Sequence, residues 1–90
     1  MTTRYVVRFR GIVQGVGFRM STERMAKDFA VVGFVRNEPD GSVLLVAEST
    51  QDELDRFIGT IRSSRGETID QVDIERRAPT GEFEKFEIRG

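Results

Sequence analysis

The sequence predicts an α+β domain in which two helices cover one face of a single sheet, and three observations carry that prediction. Several short runs alternate apolar and polar residues with a period of two, the mark of strands. Two longer segments instead repeat apolar residues at three- and four-residue spacing, one face of a helix each. The segments follow one another as βαββαβ with an extra closing stretch. Two helices that each carry one apolar stripe need one sheet face to cover, so the class is a two-layer sandwich of the split-βαβ, ferredoxin-like type, with an antiparallel sheet. Ninety residues suit one such domain, spanning residues 1–90.

Each element can be justified in turn. Tyr5, Val7 and Phe9 alternate with arginines at Arg4, Arg8 and Arg10, which gives a first strand with one apolar face. Phe18, Met25, Ala26 and Phe29, with Ser21 or Thr22 between them, form the stripe of a helix expected over 18–30. A second strand follows over 33–37. Glu38, Pro39, Asp40 and Gly41 are residues that reverse a chain, and 43–48 reads as the returning strand of a hairpin. Ser49 or Thr50 can cap a second helix, with Asp52 and Glu53 favourably placed in its first turn. Leu54, Phe57, Ile58 and Ile61 then keep the i, i+3, i+4, i+7 pattern until the segment 63–66 ends it. Ile69, Val72 and Ile74 mark a fourth strand, 78–82 a loop, and Phe83, Phe86 and Ile88 a last strand.

Composition removes several classes of function. With 38% hydrophobic and 32% charged residues the chain is an ordinary globule rather than a disordered one. No apolar stretch approaches the roughly 20 residues that span a bilayer, and the first residues lack the pattern of a secretory leader. A cytoplasmic location is therefore expected. There is no cysteine, which excludes disulfides, thiolate metal sites and a cysteine nucleophile. There is no histidine either, which removes the commonest general base and metal ligand and any phosphohistidine. No metal and no cofactor are expected. A net charge of −1 argues against broad nucleic-acid binding, which needs a basic face. The topology is shared with RNA-recognition domains, but Phe9 and Phe34 read as core rather than as stacking platforms. Nothing resembles a large exposed apolar patch, so a monomer is expected.

The chemistry concentrates in the segment 11–19, Gly-Ile-Val-Gln-Gly-Val-Gly-Phe-Arg, between the first strand and the first helix. Gly15 and Gly17 permit turn conformations closed to other residues and let a ligand approach the main chain. Exposed amides of such a turn, with the orphan donors of the following helix, make an anion pocket. Arg19 adds a planar fork that matches two phosphate oxygens. As a cation at a helix amino terminus it opposes the dipole, and an anion would justify it. Arg4, Arg8 and Arg10 also precede the first acidic residue, Glu23, but read best as ordinary strand arginines. On the residues alone Asn37, beside Pro39 and Gly41, reads first as a turn former, and Asp40 as a turn residue. Phe18 belongs to the buried stripe. A site of this make-up catalyses by holding and polarising, which phosphoryl transfer permits because its transition state is loose.

The segment 11–19, followed by Gly-Phe-Val-Arg-Asn at 33–37 and by Asp40-Gly41, closely resembles the acylphosphatases over essentially the whole chain. Phe34 stands where many members have tryptophan, away from the proposed chemistry. The resemblance implies a metal-free hydrolase that cleaves a small-molecule acyl phosphate to a carboxylate and inorganic phosphate. It places the phosphate-binding arginine on Arg19, the phosphate cradle on Gln14, Gly15, Val16, Gly17, Phe18 and Arg19, and the residue that orients water on Asn37. A noncatalytic anion-binding module on the same fold is the alternative.

Overall fold

The computed structural model describes residues 1–15 and 17–90. Strand β1 (Thr3–Gly11) is followed by helix α1 (Phe18–Ala26), the hairpin of β2 (Val32–Asn37) and β3 (Val43–Ser49), helix α2 (Gln51–Arg65), then β4 (Ile69–Arg77) and β5 (Phe86–Ile88). The strands form one sheet in the order β4-β1-β3-β2-β5. Tyr5, Val7, Phe9, Val35, Val43, Leu45 and Ala47 present one buried face to the helices. Against it α1 sets Phe18 and Ala26, and α2 sets Leu54, Phe57, Ile58 and Ile61. Thr50 caps α2 by accepting a hydrogen bond from the Glu53 amide at 3.3 Å. The ferredoxin-like two-layer arrangement is therefore the one the sequence predicts.

The expected antiparallel sheet is instead mixed, because β5 pairs parallel with β2 through Gly33 with Phe86 and Val35 with Ile88. The register explains why. β4 ends where β1 begins, with Arg77 opposite Arg4, and β2 begins at that same end of the sheet, with Val32 opposite Glu48. The segment 78–85 crosses along this end, so β5 enters beside the start of β2 and must run in its direction. Glu48 fastens the crossing. Its carboxylate is buried and accepts from the amides of Thr80 at 2.9 Å and Gly81 at 3.0 Å and from Arg4 Nε at 2.8 Å. Burial works to raise the Glu48 carboxyl, but these hydrogen bonds and the Arg4 charge outweigh it and hold it below the usual carboxylate range.

Two further departures have local causes. Helix α1 stops at Ala26, short of the expected 30, because the amides of Asp28 and Phe29 bond to the carbonyls of Met25 and Ala26 at 3.0 and 3.1 Å. That tighter i to i+3 winding still delivers Phe29 to the core, 5.5 Å from the Phe57 ring centroid. Phe34 is buried as expected but on the other face. Gly33 and Val35 take the helix side of β2, so alternation sends Phe34 to a small cluster with Leu44 and Val46, against which Val6 and Phe83 pack. The Arg89 guanidinium covers its ring at 4.4 Å. Phe83 reaches this cluster from the crossing segment, outside β5.

Candidate active site

The sheet register places Asn37 before any side chain is considered. Phe9 and Asn37 both pair with Val43, so the three residues form one row across the sheet and share a face. Phe9 and Val43 are wholly buried under the helices. Asn37 thus points to the helix side at the end of the sheet where β1 and β2 finish, the end remote from Glu48. Its Oδ1 is buried and has no hydrogen-bond partner among the described residues. Leaving such an acceptor unmet costs about 1 to 3 kcal/mol, a cost that a bound donor would relieve.

The loop that connects β1 to α1 runs over the same end. Gly15 and Gly17 take left-handed conformations, with φ of 74° and 77°, which side chains rarely adopt. Gly17 is the residue that opens α1, and no side chain caps it. Its carbonyl accepts from the Ser21 amide at 3.0 Å and from Arg65 Nη2, at the end of α2, at 3.1 Å. A trans peptide holds its carbonyl and the next amide in opposite directions. The Phe18 N–H therefore projects out of the amino-terminal end of the helix, among the donors that a helix start leaves free. There is no acidic residue in that first turn to fill the field. Phe18 itself is buried against Phe9, ring centroids 5.2 Å apart, and pins the helix start to the sheet.

Gln14 has a different task from its neighbours. Its Nε2 donates at 2.8 Å to two carbonyls, those of Glu38 and Ser42. Only the amide nitrogen can serve two acceptors, so the side chain is committed to tying the loop to the hairpin just after Asn37. The hairpin is closed by its own bonds, Glu38 N–H to the Ser42 carbonyl at 2.9 Å and Ser42 N–H to Asp40 Oδ1 at 2.9 Å. Hydrogen bonds from the Ser42 hydroxyl and amide, joined by Arg10, hold the Asp40 carboxyl at about 2. Asp40 is a turn residue, as the sequence suggests.

Between these parts lies a cavity of about 210 Å³, lined by Val13, Gly15, Gly17, Phe18, Arg19, Met20, Asn37 and Ile88. Five of the residues expected at the site meet there: Gly15, Gly17, Phe18, Arg19 and Asn37. Gln14 does not line it, and Val16 lies outside the described residues. Among the arginines that precede Glu23, Arg4 engages Glu48 and Glu82, Arg8 engages Glu38, and Arg10 engages Asp40 and Asp73. Arg19 has no hydrogen-bond or carboxylate partner among the described residues, although it is half-buried. Among the described residues no cluster of carboxylates could hold a metal ion, and the cavity wall contains no carboxylate. No described helix is long and apolar enough to cross a membrane.

The family model for acylphosphatase matches residues 5–88. The chain belongs to the acylphosphatase family. It is 43% identical over 88 residues to an acylphosphatase of Paenarthrobacter aurescens (strain TC1), covering 97% of this chain and 94% of that one. It is 41% identical over 92 residues to an acylphosphatase of Yersinia pseudotuberculosis serotype O:1b (strain IP 31758), covering 99% of each. Its structure is similar to the crystal structure of acylphosphatase from Bacillus subtilis, with a TM-score of 0.89, 26% identity and coverage of 98% and 99%. The two segments that carry the acylphosphatase resemblance, 11–19 and 33–37, are separate in sequence but converge on this cavity. Val13, Met20 and Ile88 line the cavity as well, although the sequence does not mark them as site residues. Met20 was open to inference as the residue next to Arg19; Ile88 was not, because its place depends on the parallel entry of β5.

Proposed function

We propose that the chain hydrolyses the carboxyl-phosphate bond of acyl phosphates without a metal, with Arg19 and Asn37 in the two decisive roles. The observation that carries the reading is that one cavity is lined by the half-buried Arg19 and by Asn37, neither of whose side chains, the Asn37 Oδ1 included, has a hydrogen-bond partner among the described residues. Arg19 offers two parallel donors to the phosphoryl oxygens, and the amides of the 14–19 loop complete the cradle. Water held by the Asn37 carboxamide, which can accept from it and donate to an oxygen, attacks phosphorus. The P–O bond to the carboxylate breaks as the new one forms, releasing a carboxylate and inorganic phosphate. The leaving group is a weak base, so no strong acid is needed. Positioning and fixed donors supply the acceleration. The donor set supports a metal-independent route, since among the described residues the cavity wall offers only the neutral amide as a side-chain oxygen. A monomer in the cytoplasm is part of the same proposal, supported by the cysteine-free, charge-rich composition.

The test is turnover of acetyl phosphate in excess chelator, with inorganic phosphate as inhibitor. Undiminished hydrolysis and competitive inhibition are expected. Phosphate binding with no turnover would leave a noncatalytic anion-binding module instead.

A further inference from the structure

The loop that carries the cradle is gripped near both of its ends by the turn that follows α2. At the near end the Ile12 amide donates to the Thr68 carbonyl at 2.9 Å, and a side chain at Gly11 would run into that same carbonyl. At the far end Arg65 Nη2 donates to the Gly17 carbonyl at 3.1 Å. Thr68 returns its amide and its hydroxyl to the Arg65 carbonyl, at 3.0 and 2.9 Å, which braces one grip against the other. Arg65 itself is half-buried and stands outside the residues that line the cavity.

The far grip falls where the cradle is least fixed by its own chain. A helix start is ordinarily held by a capping side chain, and Gly17 has none to offer. Glycine also leaves the Gly17–Phe18 peptide plane free to turn. The orientation of that plane matters, because the Phe18 N–H faces outward only while the Gly17 carbonyl is held the opposite way. The Ser21 amide bonds this carbonyl along the helix axis, and the Arg65 guanidinium adds a second, charge-assisted bond from α2. Drawing electron density toward the carbonyl oxygen makes the N–H of the same peptide a better donor.

We propose that Arg65 is a positioning residue for the phosphoryl group, acting through the Gly17–Phe18 peptide, whose N–H it orients and polarises toward the anion. The inference rests on the acylphosphatase reading above and adds to it a residue that does not itself touch the substrate. The Phe18 N–H serves the bound phosphoryl group and the transition state alike, so loss of Arg65 weakens binding more than turnover.

The experiment compares the unaltered chain with Arg65→Met, which removes charge and donors, and with Arg65→Lys, which keeps a charge and a donor for the Gly17 carbonyl. In Arg65→Met the KM for acetyl phosphate and the inhibition constant of inorganic phosphate are expected to rise together roughly tenfold, with kcat within about threefold of the parent. Arg65→Lys is expected to recover most of that loss. The rise should persist in about 0.5 M potassium chloride, where attraction by a remote charge is screened. In amide spectra the Phe18 N–H should move downfield when inorganic phosphate saturates the unaltered chain, and should move less in saturated Arg65→Met. An unmoved phosphate constant in Arg65→Met, a rise that vanishes in salt, or an equal Phe18 shift in the two chains would each overturn the assignment. Phosphate binding with the Phe18 contrast intact, but no turnover of acetyl phosphate by the unaltered chain, would overturn the hydrolase reading and leave the role of Arg65 standing.

Discussion

The two ends of the sheet use the same chemistry to opposite purposes. At the end where β1 begins, Arg4 and the Glu48 carboxylate engage each other, and Glu48 also takes the amides of Thr80 and Gly81. At the end where β1 finishes, Arg19 and the Asn37 oxygen have no partners among the described residues, although both are at least half shielded from water. The frame around them is nevertheless fixed by Gln14, Arg65 and the packing of Phe18 on Phe9. A saturated end holds the fold together. An end that is rigid but unsaturated holds a place for something else, because its donors and acceptors need no rearrangement when a ligand arrives.

The largest effect should come from Arg19→Lys. The charge remains, but an ammonium cannot reproduce two parallel bonds, and kcat/KM should fall roughly a hundredfold or more, about 3 kcal/mol of transition-state stabilisation. The Tm should not move, because Arg19 makes no hydrogen bond or ion pair among the described residues. Calorimetry beside steady-state kinetics checks both. A lysine variant with normal turnover would reduce Arg19 to a point charge, and one that melts early would erase the contrast between the two ends.

Asn37→Ala should divide binding from chemistry. Turnover should drop on the order of a hundredfold, while the inhibition constant of inorganic phosphate stays near its original value, since the cradle is on another segment. Removing an oxygen that is buried and has no partner among the described residues should leave the variant no less stable than the parent. Parallel loss of phosphate affinity would make Asn37 a phosphate ligand. Unchanged kinetics would remove it from the site.

How far the sequence reveals this arrangement depends on whether a feature is local. The loop 11–19 is legible because its glycines and its arginine state their needs within nine residues, and the strand and helix stripes are legible from periodicity. Periodicity says nothing about strand direction. The parallel entry of β5, and with it Ile88 in the cavity wall, is set by the buried carboxylate of Glu48 catching a segment more than thirty residues away. Arg65 escapes notice for the same reason, since its contact with the Gly17 carbonyl joins the end of α2 to the start of α1. Gln14 sits in a legible motif, yet which carbonyls its side chain finds depends on the hairpin folded beneath it.

Glu48→Gln tests the saturated end. A carboxamide turns one acceptor into a donor facing an amide that already donates, and it leaves the Arg4 charge without its buried partner. Breaking such a pair costs about 3 kcal/mol, which for a domain of this size lowers the Tm by on the order of 15 °C. Assayed well below that Tm, kcat should match the parent. Loss of activity at a temperature where the variant is fully folded would mean that the two ends are coupled rather than separate in purpose.

The smallest and most easily read effect concerns Tyr5, next to Arg4 on β1. Its hydroxyl donates to Asp55 Oδ1 at 2.6 Å, linking the saturated end of the sheet to α2. Burial, with the bond to Asp55 and its charge, pushes the phenol up to about 12 from an ordinary value of about 10. The group is raised in the folded state, so its contribution to stability is complete below about pH 10 and is lost as pH rises through about 12. Across that window the unfolded chain has already released the proton that the native chain retains, and stability falls by up to roughly 1.4 kcal/mol per pH unit. Tyr5 is the only tyrosine and there is no tryptophan, so phenolate absorbance reports this group alone. Titrated natively it should ionise near 12, and in urea near 10, while Tyr5→Phe should remove this part of the alkaline decline in stability. A native chain whose phenol titrates at its ordinary value would show that Tyr5 is neither buried nor bonded to Asp55 in solution, and the polar commitments of that end would be confined to Arg4 and Glu48.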